Sequence, residues 1–245
     1  MGADPDLPRL RVVDTEADWE RVVEAAAGAQ ALVPEAILVG GSAAALHASH
    51  RFSKDDDHVV SDLKSRFDQV LEELEVVAGW KTARIRRPVL ILGRLDGVDT
   101  GIRNLRRAAP LETEIIDTRF GPVRLPTIEE MLRIKAWLVV RRNAVRDYID
   151  TAALAEKVDQ TSQTAAEEVL ALLDDYYPQE NGASVAMQLA KQLADPAPYD
   201  LEPDGDLRVY RMIAERWSTW YKVADHNRQL GARVLRAASA RIRRP

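Results

Sequence analysis

The chain has 245 residues, 46% of them hydrophobic and 30% charged, with a formal net charge of -5 and no cysteine. That length and apolar content can bury one large core or two modest ones. The absence of cysteine excludes a disulfide framework, thiolate metal sites and a cysteine nucleophile. The net charge argues against blanket nucleic-acid binding, although basic patches still act locally over about 8 Å. The opening MGADPDLPRL carries acids and prolines where a secretory leader would carry basic and apolar residues. With no apolar run approaching a membrane span, a cytoplasmic protein without membrane association is expected.

In chain order, Thr15 and Asp18 have the spacing of a capping box, and Trp19, Val22, Val23 and Ala26 supply a helical apolar stripe behind it. AILVG over 36–40 reads as a short buried strand ending in glycine, and the alanine-rich SAAALHASH as a helix. DHVV over 57–60 predicts a second strand. Residues 61–78 predict a helix with Leu63, Phe67, Val70, Leu71 and Leu74 on one face. VLILGRL and VDTGIRNL flank Asp96-Gly97, a dipeptide suited to a tight hairpin, and LETEIID with PVRL forms a further pair around Phe120-Gly121.

From Pro126 the pattern turns helical. Thr127 and Glu130 make a second capping box before MLRIKAWLVV, and helices are expected over 148–158, 165–176, 183–193 and 207–241. YYPQENG and DPAPYDLEPDG break the series. The expected organisation is an α/β domain over 1–126 with a small mixed sheet, then an all-helical lobe over 127–245 that contributes to a cleft.

The segment ILVGGSAAALHASHRFSKDDDHVV combines a bare turn with a knot of acid. On an extended strand, side chains two apart share a face, so Asp55 and Asp57 converge while Asp56 points away. Such a pair offers hard oxygen ligands to Mg²⁺, which takes its remaining ligands from water and substrate phosphates. Two such ions could hold the attacking and leaving oxygens of a phosphoryl displacement. Gly40 and Gly41 lack Cβ atoms and let phosphate oxygens approach backbone N–H groups near a helix start, with Ser42 adding a hydroxyl. Taken singly, either feature is more often an ordinary turn or a solvated acidic loop. His58 reads as a structural histidine before it reads as a ligand.

RIKAWLVVRRNAVRDYIDTAALAE places Lys135 on an apolar helix, followed by arginines, Asp147 and Asp150. On an unbroken helix Lys135, Val139, Arg142, Arg146 and Asp150 share a face. If the helix breaks at Asn143, Asp147 could instead cap a new one.

The order apolar strand, Gly40-Gly41-Ser42, spacer and Asp55-Asp56-Asp57 resembles the polymerase-beta-like nucleotidyltransferase superfamily. The middle acidic-motif position is usually apolar there, and Asp56 departs from that pattern. Residues 36–156, with the stretch from Arg51 to Asp57 including Ser53, then Lys135, and Arg146 to Asp150, resemble the AbiEii-type, MenA-like nucleotidyltransferase toxins. That resemblance implies transfer of a nucleoside monophosphate from an NTP to a hydroxyl, with tRNA or another RNA as acceptor and a cognate antitoxin protein as partner. It implies Asp55 and Asp57 as catalytic Mg²⁺ ligands, and Gly40, Gly41, Ser42, Ser53 and Arg146 at the nucleotide. Lys135 would neutralise phosphate charge, and Asp147 would complete the catalytic set. A third metal-binding carboxylate, carried by many superfamily members on a later strand, would fall on Asp99 or on Asp96, the latter better explained as a turn residue. The competing expectation is a degenerate, non-catalytic binding module.

Three basic features stay open between function and structure. Arg103, Arg106 and Arg107 could touch nucleotide or pair with Glu112 and Glu114 across neighbouring strands. Arg228, Arg233, Arg236, Arg241, Arg243 and Arg244 could track phosphates or form a solvated helix end. Trp217, Trp220 and Tyr221 fit a core stripe better than a base-stacking platform.

Overall fold

The computed structural model describes residues 15–107, 109–210 and 212–243. The expectations for the opening decapeptide and for Arg244 lie outside the described residues. Helix α1 (Glu16–Leu32) starts at the anticipated cap: Thr15 Oγ1 accepts from the Asp18 N–H at 3.2 Å and donates to Asp18 Oδ2 at 3.0 Å. Val22, Val23 and Ala26 are buried, and Trp19 stacks on Phe52 with centroids 4.9 Å apart.

Strand β1 (Ile37–Val39) runs directly into α2 (Gly40–Ala48), the corner being turned by Gly40 at φ +77°. Strand β2 (Asp55–Val60) begins two residues earlier than expected, so all three aspartates lie inside it. Helix α3 (Leu63–Glu75) buries the five residues of its predicted apolar face. Strand β3 (Trp80–Arg86) has no counterpart in the sequence reading, because after Trp80 every residue is exposed and no alternation marks it. Strands β4 (Leu90–Leu95) and β5 (Val98–Asn104) form the Asp96-Gly97 hairpin, with both turn residues left-handed at φ +49° and +85°.

These strands make one mixed sheet in the order β1-β2-β5-β4-β3, in which the β2–β5 pair is parallel and its neighbours antiparallel. The pairing aligns Asp55 with Asp99 and Asp57 with Gly101, so those four positions face the same way. The opposite face is apolar: Val60, Ile91, Leu95, Ile102 and Trp80 pack with Phe67 and Leu74 of α3 and Ala29 and Val33 at the end of α1. Strands β6 (Thr113–Thr118) and β7 (Gly121–Pro126) form a separate ribbon, as the pair around Phe120-Gly121 predicted. Gln30 extends that ribbon, its amide exchanging two 2.7 Å bonds with the Arg124 backbone.

Six helices follow: α4 (Ile128–Arg142), α5 (Val145–Thr161), α6 (Ala166–Ala171), α7 (Leu173–Tyr176), α8 (Val185–Ala194) and α9 (Trp220–Ile242). The helix expected over 165–176 is interrupted at Leu172, and the one expected over 207–241 starts only at Trp220. Gly231 lets α9 approach α8 closely, since a Cβ there would sit 2.9 Å from Leu193 Cβ. The larger core runs through these helices and takes in Leu38, Ala43, Ala44, Val123 and Leu125 from the earlier part of the chain. Helix α2 is thus clamped between the sheet and α5, which fixes the glycine turn at its N-terminus.

Candidate active site

The alternation along β2 separates the three aspartates as their spacing predicts: Asp55 and Asp57 are half-buried on one face and Asp56 is fully buried on the other. The acid pair abuts the glycine turn. A Cβ on Gly40 would lie 3.5 Å from Asp57 Cβ, and one on Gly41 would lie 2.7 Å from Ser53 Oγ and 3.2 Å from an Arg51 guanidinium nitrogen. Ser53 donates to Asp55 Oδ1 at 2.6 Å, and Arg103 donates to Asp57 Oδ1 from two nitrogens at 3.2 Å. Ser42, expected to offer its hydroxyl to phosphate, instead donates to the Asp55 carbonyl at 2.5 Å and so ties α2 to β2.

Gly101 is a site residue that the sequence reading passed over. A Cβ there would fall 2.5 Å from Asp57 Oδ1 and 3.2 Å from Leu92 Cδ2, so any larger residue would push the carboxylate from its present place. An isolated glycine inside the strand pattern VDTGIRNL was the available signal.

On the hidden face, burial pushes the Asp56 carboxyl up to about 8, with the hydroxyl of its register neighbour Thr100 opposing the shift and Asp57 and Asp55 adding to it. His58, two residues on, is pulled down to about 4 by burial. No hydrogen bond of ordinary length and angle reaches either side chain among the described residues, although the Thr100 hydroxyl lies near Asp56 and the Ala26 backbone near His58, and each is favoured in its neutral form at neutral pH. His58 is therefore structural, the bland alternative of the sequence reading.

Behind the glycine turn lies a buried ionic knot centred on Asp150. Arg51 grips its carboxylate with two nitrogens at 2.8 and 2.9 Å, His50 Nε2 lies 2.7 Å from Oδ1, and Lys135 Nζ lies 2.7 Å from Oδ2. Burial alone would raise the Asp150 carboxyl, but the charges of Arg51 and Lys135 and the His50 bond hold it well below the ordinary value. Burial lowers His50, which leaves two cations on one anion. Lys135 is 3% exposed, so its ammonium is committed to Asp150 instead of being presented to a phosphate.

Helix α4 does stop at Asn143, which adopts φ +52° and accepts a 2.7 Å bond from the Tyr148 hydroxyl. The shared face from Lys135 to Asp150 on one unbroken helix is thus corrected to two helices separated by Asn143 and Ala144. Asp147 does not cap α5 either: the Val145 N–H is taken by Asp200 Oδ1 at 2.8 Å. Asp147 is 1% exposed with neither oxygen hydrogen-bonded among the described residues, its carboxyl raised by burial and held back by the Lys135 charge. Arg146 is exposed beside it and in no ion pair among the described residues.

The two candidates for a third carboxylate separate clearly. Asp96 sits in the hairpin turn, its carbonyl accepting from Arg21 at 3.0 Å. Asp99 stands next to Asp55 across the strands, but its carboxylate is bound by Arg94 Nε at 2.6 Å. Among the described residues no group of three or more carboxylates or imidazoles is gathered for a metal. Among the described residues no hydrogen bond reaches Oδ2 of Asp55 or Asp57, so the donor set that fits Mg²⁺ is a pair of hard oxygens beside the glycine turn, completed from outside the protein.

The remaining basic residues resolve by partner. Glu112 takes Arg133 and the Tyr176 hydroxyl, not an arginine of β5, and Arg107 pairs with buried Glu130 at 2.6 Å. On α9, Arg233 is held by Asp159 and Glu167, and Arg241 by Asp175, so these two bind the helical part. Trp217 is buried and Trp220 packs edge-on to Tyr148 at 5.6 Å, whereas Tyr221 is 76% exposed and leaves the expected core stripe.

The fold places the chain among known architectures. A Helicobacter pylori protein described as a nucleotidyltransferase superposes with TM-score 0.53 at 14% identity, over 91% of this chain and 98% of that one. JHP933 from the same species superposes with TM-score 0.51 at 15% identity, over 94% of this chain and 98% of its own. The chain has the nucleotidyltransferase fold, an α/β head with a small mixed sheet followed by helices. No protein-family model matches the sequence. Among curated proteins, MmpL11 of Mycobacterium leprae, named a transport protein, is 38% identical over 104 residues. MmpL11 of Mycobacterium tuberculosis, named a heme uptake protein, is 41% identical over 99. Those alignments take in 41% and 39% of this chain, which spans about a tenth of either relative. Among the described residues no helix is long and apolar enough to cross a membrane.

Proposed function

We propose that the chain is a nucleotidyltransferase that moves a nucleoside monophosphate from an NTP to a hydroxyl of RNA, with tRNA as the first candidate acceptor. The observation that carries this is the seating of Asp57 against Gly40, 3.5 Å from where a Cβ would be, with Asp55 on the same face. In the proposed reaction an acceptor oxygen bonds to the α-phosphorus as the bond to the pyrophosphate oxygen breaks, and the hydroxyl proton leaves to solvent. The backbone N–H groups of Gly40 and Gly41 bind the triphosphate at the open end of α2. Asp55 and Asp57 would hold Mg²⁺, as one ion or two, with Asp99 joining only if Arg94 releases it. When bound, the metal supplies neutralisation of the phosphate charge.

Within this reading Ser53 and Arg103 aim the two carboxylates. Lys135 and Asp150 are positioning residues that hold Arg51 behind Gly41, Asp147 completes the catalytic set as a buried carboxylate, and Arg146 supplies an exposed cation at the rim. A nucleotidyltransferase domain over 1–126 and a helical domain over 127–245, a cytoplasmic location, and a role as the toxin of a toxin-antitoxin or phage-defence pair with a cognate antitoxin belong to the same proposal.

One observation favours a second reading. Arg103 and Arg94 already neutralise Asp57 and Asp99, as they would in a degenerate module that binds nucleotide or a partner without transfer.

The discriminating experiment offers each of the four labelled NTPs with Mg²⁺ to the protein plus total RNA, beside Asp55→Ala and Asp57→Ala proteins shown to be folded. Transfer into RNA that disappears in both variants is expected. Transfer that survives both removes the site, and no label in RNA or in the protein itself favours the binding module. Growth arrest on expression, relieved by a neighbouring gene product, tests the toxin role.

A further inference from the structure

The face of the sheet that carries the acid pair continues past it as a basic surface. Register places Arg94 beside Asp99, Leu92 beside Gly101 and Leu90 beside Arg103 on β4 and β5. On the next strand Lys81 lies opposite Arg94, Arg84 opposite Leu92 and Arg86 opposite Leu90. All share the Asp55 and Asp57 face, because paired residues on neighbouring strands point the same way. The bulge between Thr82 and Arg84 restores this alignment; without it Arg84 and Arg86 would sit one residue out of phase with Lys81.

Charge is therefore sorted across the sheet, acid on β2 and base on β3, within a chain whose formal net charge is -5. Lys81, Arg84 and Arg86 are exposed, and none is in an ion pair among the described residues. Among the described residues, helices α1 and α3 pack on the opposite face. Edge strands often carry lysine or arginine simply to block pairing with another chain. That explanation does not reach Arg94 and Arg103, which lie on inner strands.

We propose that this face, along β3 and across β4, binds the phosphate backbone of the RNA acceptor and leads its terminal hydroxyl to Asp55 and Asp57. The inference rests on the transfer reading above and names the surface that reading lacks. Three strand spacings of about 4.8 Å put β3 roughly 14 Å from β2, so the β3 cations meet phosphates a few nucleotides from the modified end. Arg94 and Arg103 lie between, where an incoming phosphate competes with Asp99 and Asp57 for them and frees those carboxylates. The site that these arginines neutralise without acceptor is then opened by it.

The test measures binding of end-labelled bulk tRNA by fluorescence anisotropy over a range of KCl, without nucleotide. The full chain is compared with Lys81→Gln/Arg84→Gln/Arg86→Gln, and with Arg228→Gln/Arg236→Gln on the exposed side of α9 as a control. Losing three phosphate contacts should weaken binding at least about tenfold at low salt and lower the log–log salt slope by about 2, at ~0.7 per contact for single strands. The α9 control should bind as the parent does. Unchanged affinity and slope in the β3 variant overturn the proposal. So does an absence of tRNA binding by the parent, or its tighter binding to polyglutamate, which would make the surface one for an acidic protein. Because the readout needs no catalysis, loss of tRNA binding in the β3 variant supports the docking face even if no transfer is ever seen. Transfer into RNA that persists undiminished in that variant sinks the docking face and leaves the chemistry standing.

Discussion

Replacing Asp150 by asparagine keeps the shape of the side chain and removes the charge on which Arg51 and Lys135 converge. At 2.7 Å and an effective dielectric of about 20, the Lys135 contact is worth about 6 kcal/mol in Coulomb attraction, and the bidentate Arg51 contact is of similar size. Desolvating each ion costs several kcal/mol, so the intact knot contributes far less than that sum. The variant, however, keeps both cations buried with no anion between them, and the expected net loss is about 3–5 kcal/mol. Urea denaturation should show a lower midpoint at unchanged slope, and melting should fall by about 6–20 °C for a chain of this size. Asp150 is depressed in the folded state, so its contribution is full above the unfolded value near 3.9 and is lost as pH falls through the lower folded value. The gap between parent and variant should thus stay constant from about pH 5 to 8 and close only in stronger acid. Adding Lys135→Met should recover part of the loss, because it removes one of the stranded charges. A loss under about 1 kcal/mol, or a gap that closes between about pH 5 and 7, would refute the claim that this carboxylate holds the site together.

Gly101→Ala tests the same site from beneath: its new Cβ would displace Asp57, and transfer should fall about 100-fold with little change in melting temperature. Parental transfer rates in that variant would show that Asp57 does not need its present place. Asp56→Asn addresses the hidden face. The folded protein retains a proton at Asp56 up to about pH 8 that the unfolded chain releases near 3.9, so stability falls as pH rises between them, by at most about 1.4 kcal/mol per unit. Urea midpoints from pH 5 to 8 should decline less in the asparagine variant, and parallel curves would contradict the buried neutral acid. His58 acts at the other end: its folded value of about 4 lies below the unfolded one, so stability is lost as pH drops from about 6.5, and His58→Gln should blunt that acid limb. Arg233→Gln should cost only about 1 kcal/mol, because its pairs with Asp159 and Glu167 are partly solvated, and should leave tRNA affinity unchanged.

What could be read from the chain was whatever depends on neighbours in sequence. Both capping boxes, the Asp96-Gly97 hairpin and the amphipathic face of α3 follow from short-range periodicity and turn chemistry. Strand β3 did not announce itself because it lies at the sheet edge with every residue after Trp80 exposed, so burial imposes no alternation on it. The partners of Lys135 were hidden for a different reason. Asp150 and Arg51 are far apart in sequence from each other, and only the packing of α2 on α5 makes them meet. A lysine on an apolar helix looks the same in sequence whether it faces a phosphate or a carboxylate.

The run of three aspartates shows how one motif can carry two chemistries. Three adjacent carboxylates on a strand cannot all be exposed, since alternation sends the middle one inward whenever the opposite face is covered. Asp56 survives there by keeping its proton, which spares the fold a buried charge and leaves Asp55 and Asp57 as the pair on the outer face. The departure from an apolar middle residue therefore does not shift the strand or its register. It exchanges a hydrophobic side chain for a neutral acid at the same depth, and the outward pair keeps its place against Gly40 and Gly101.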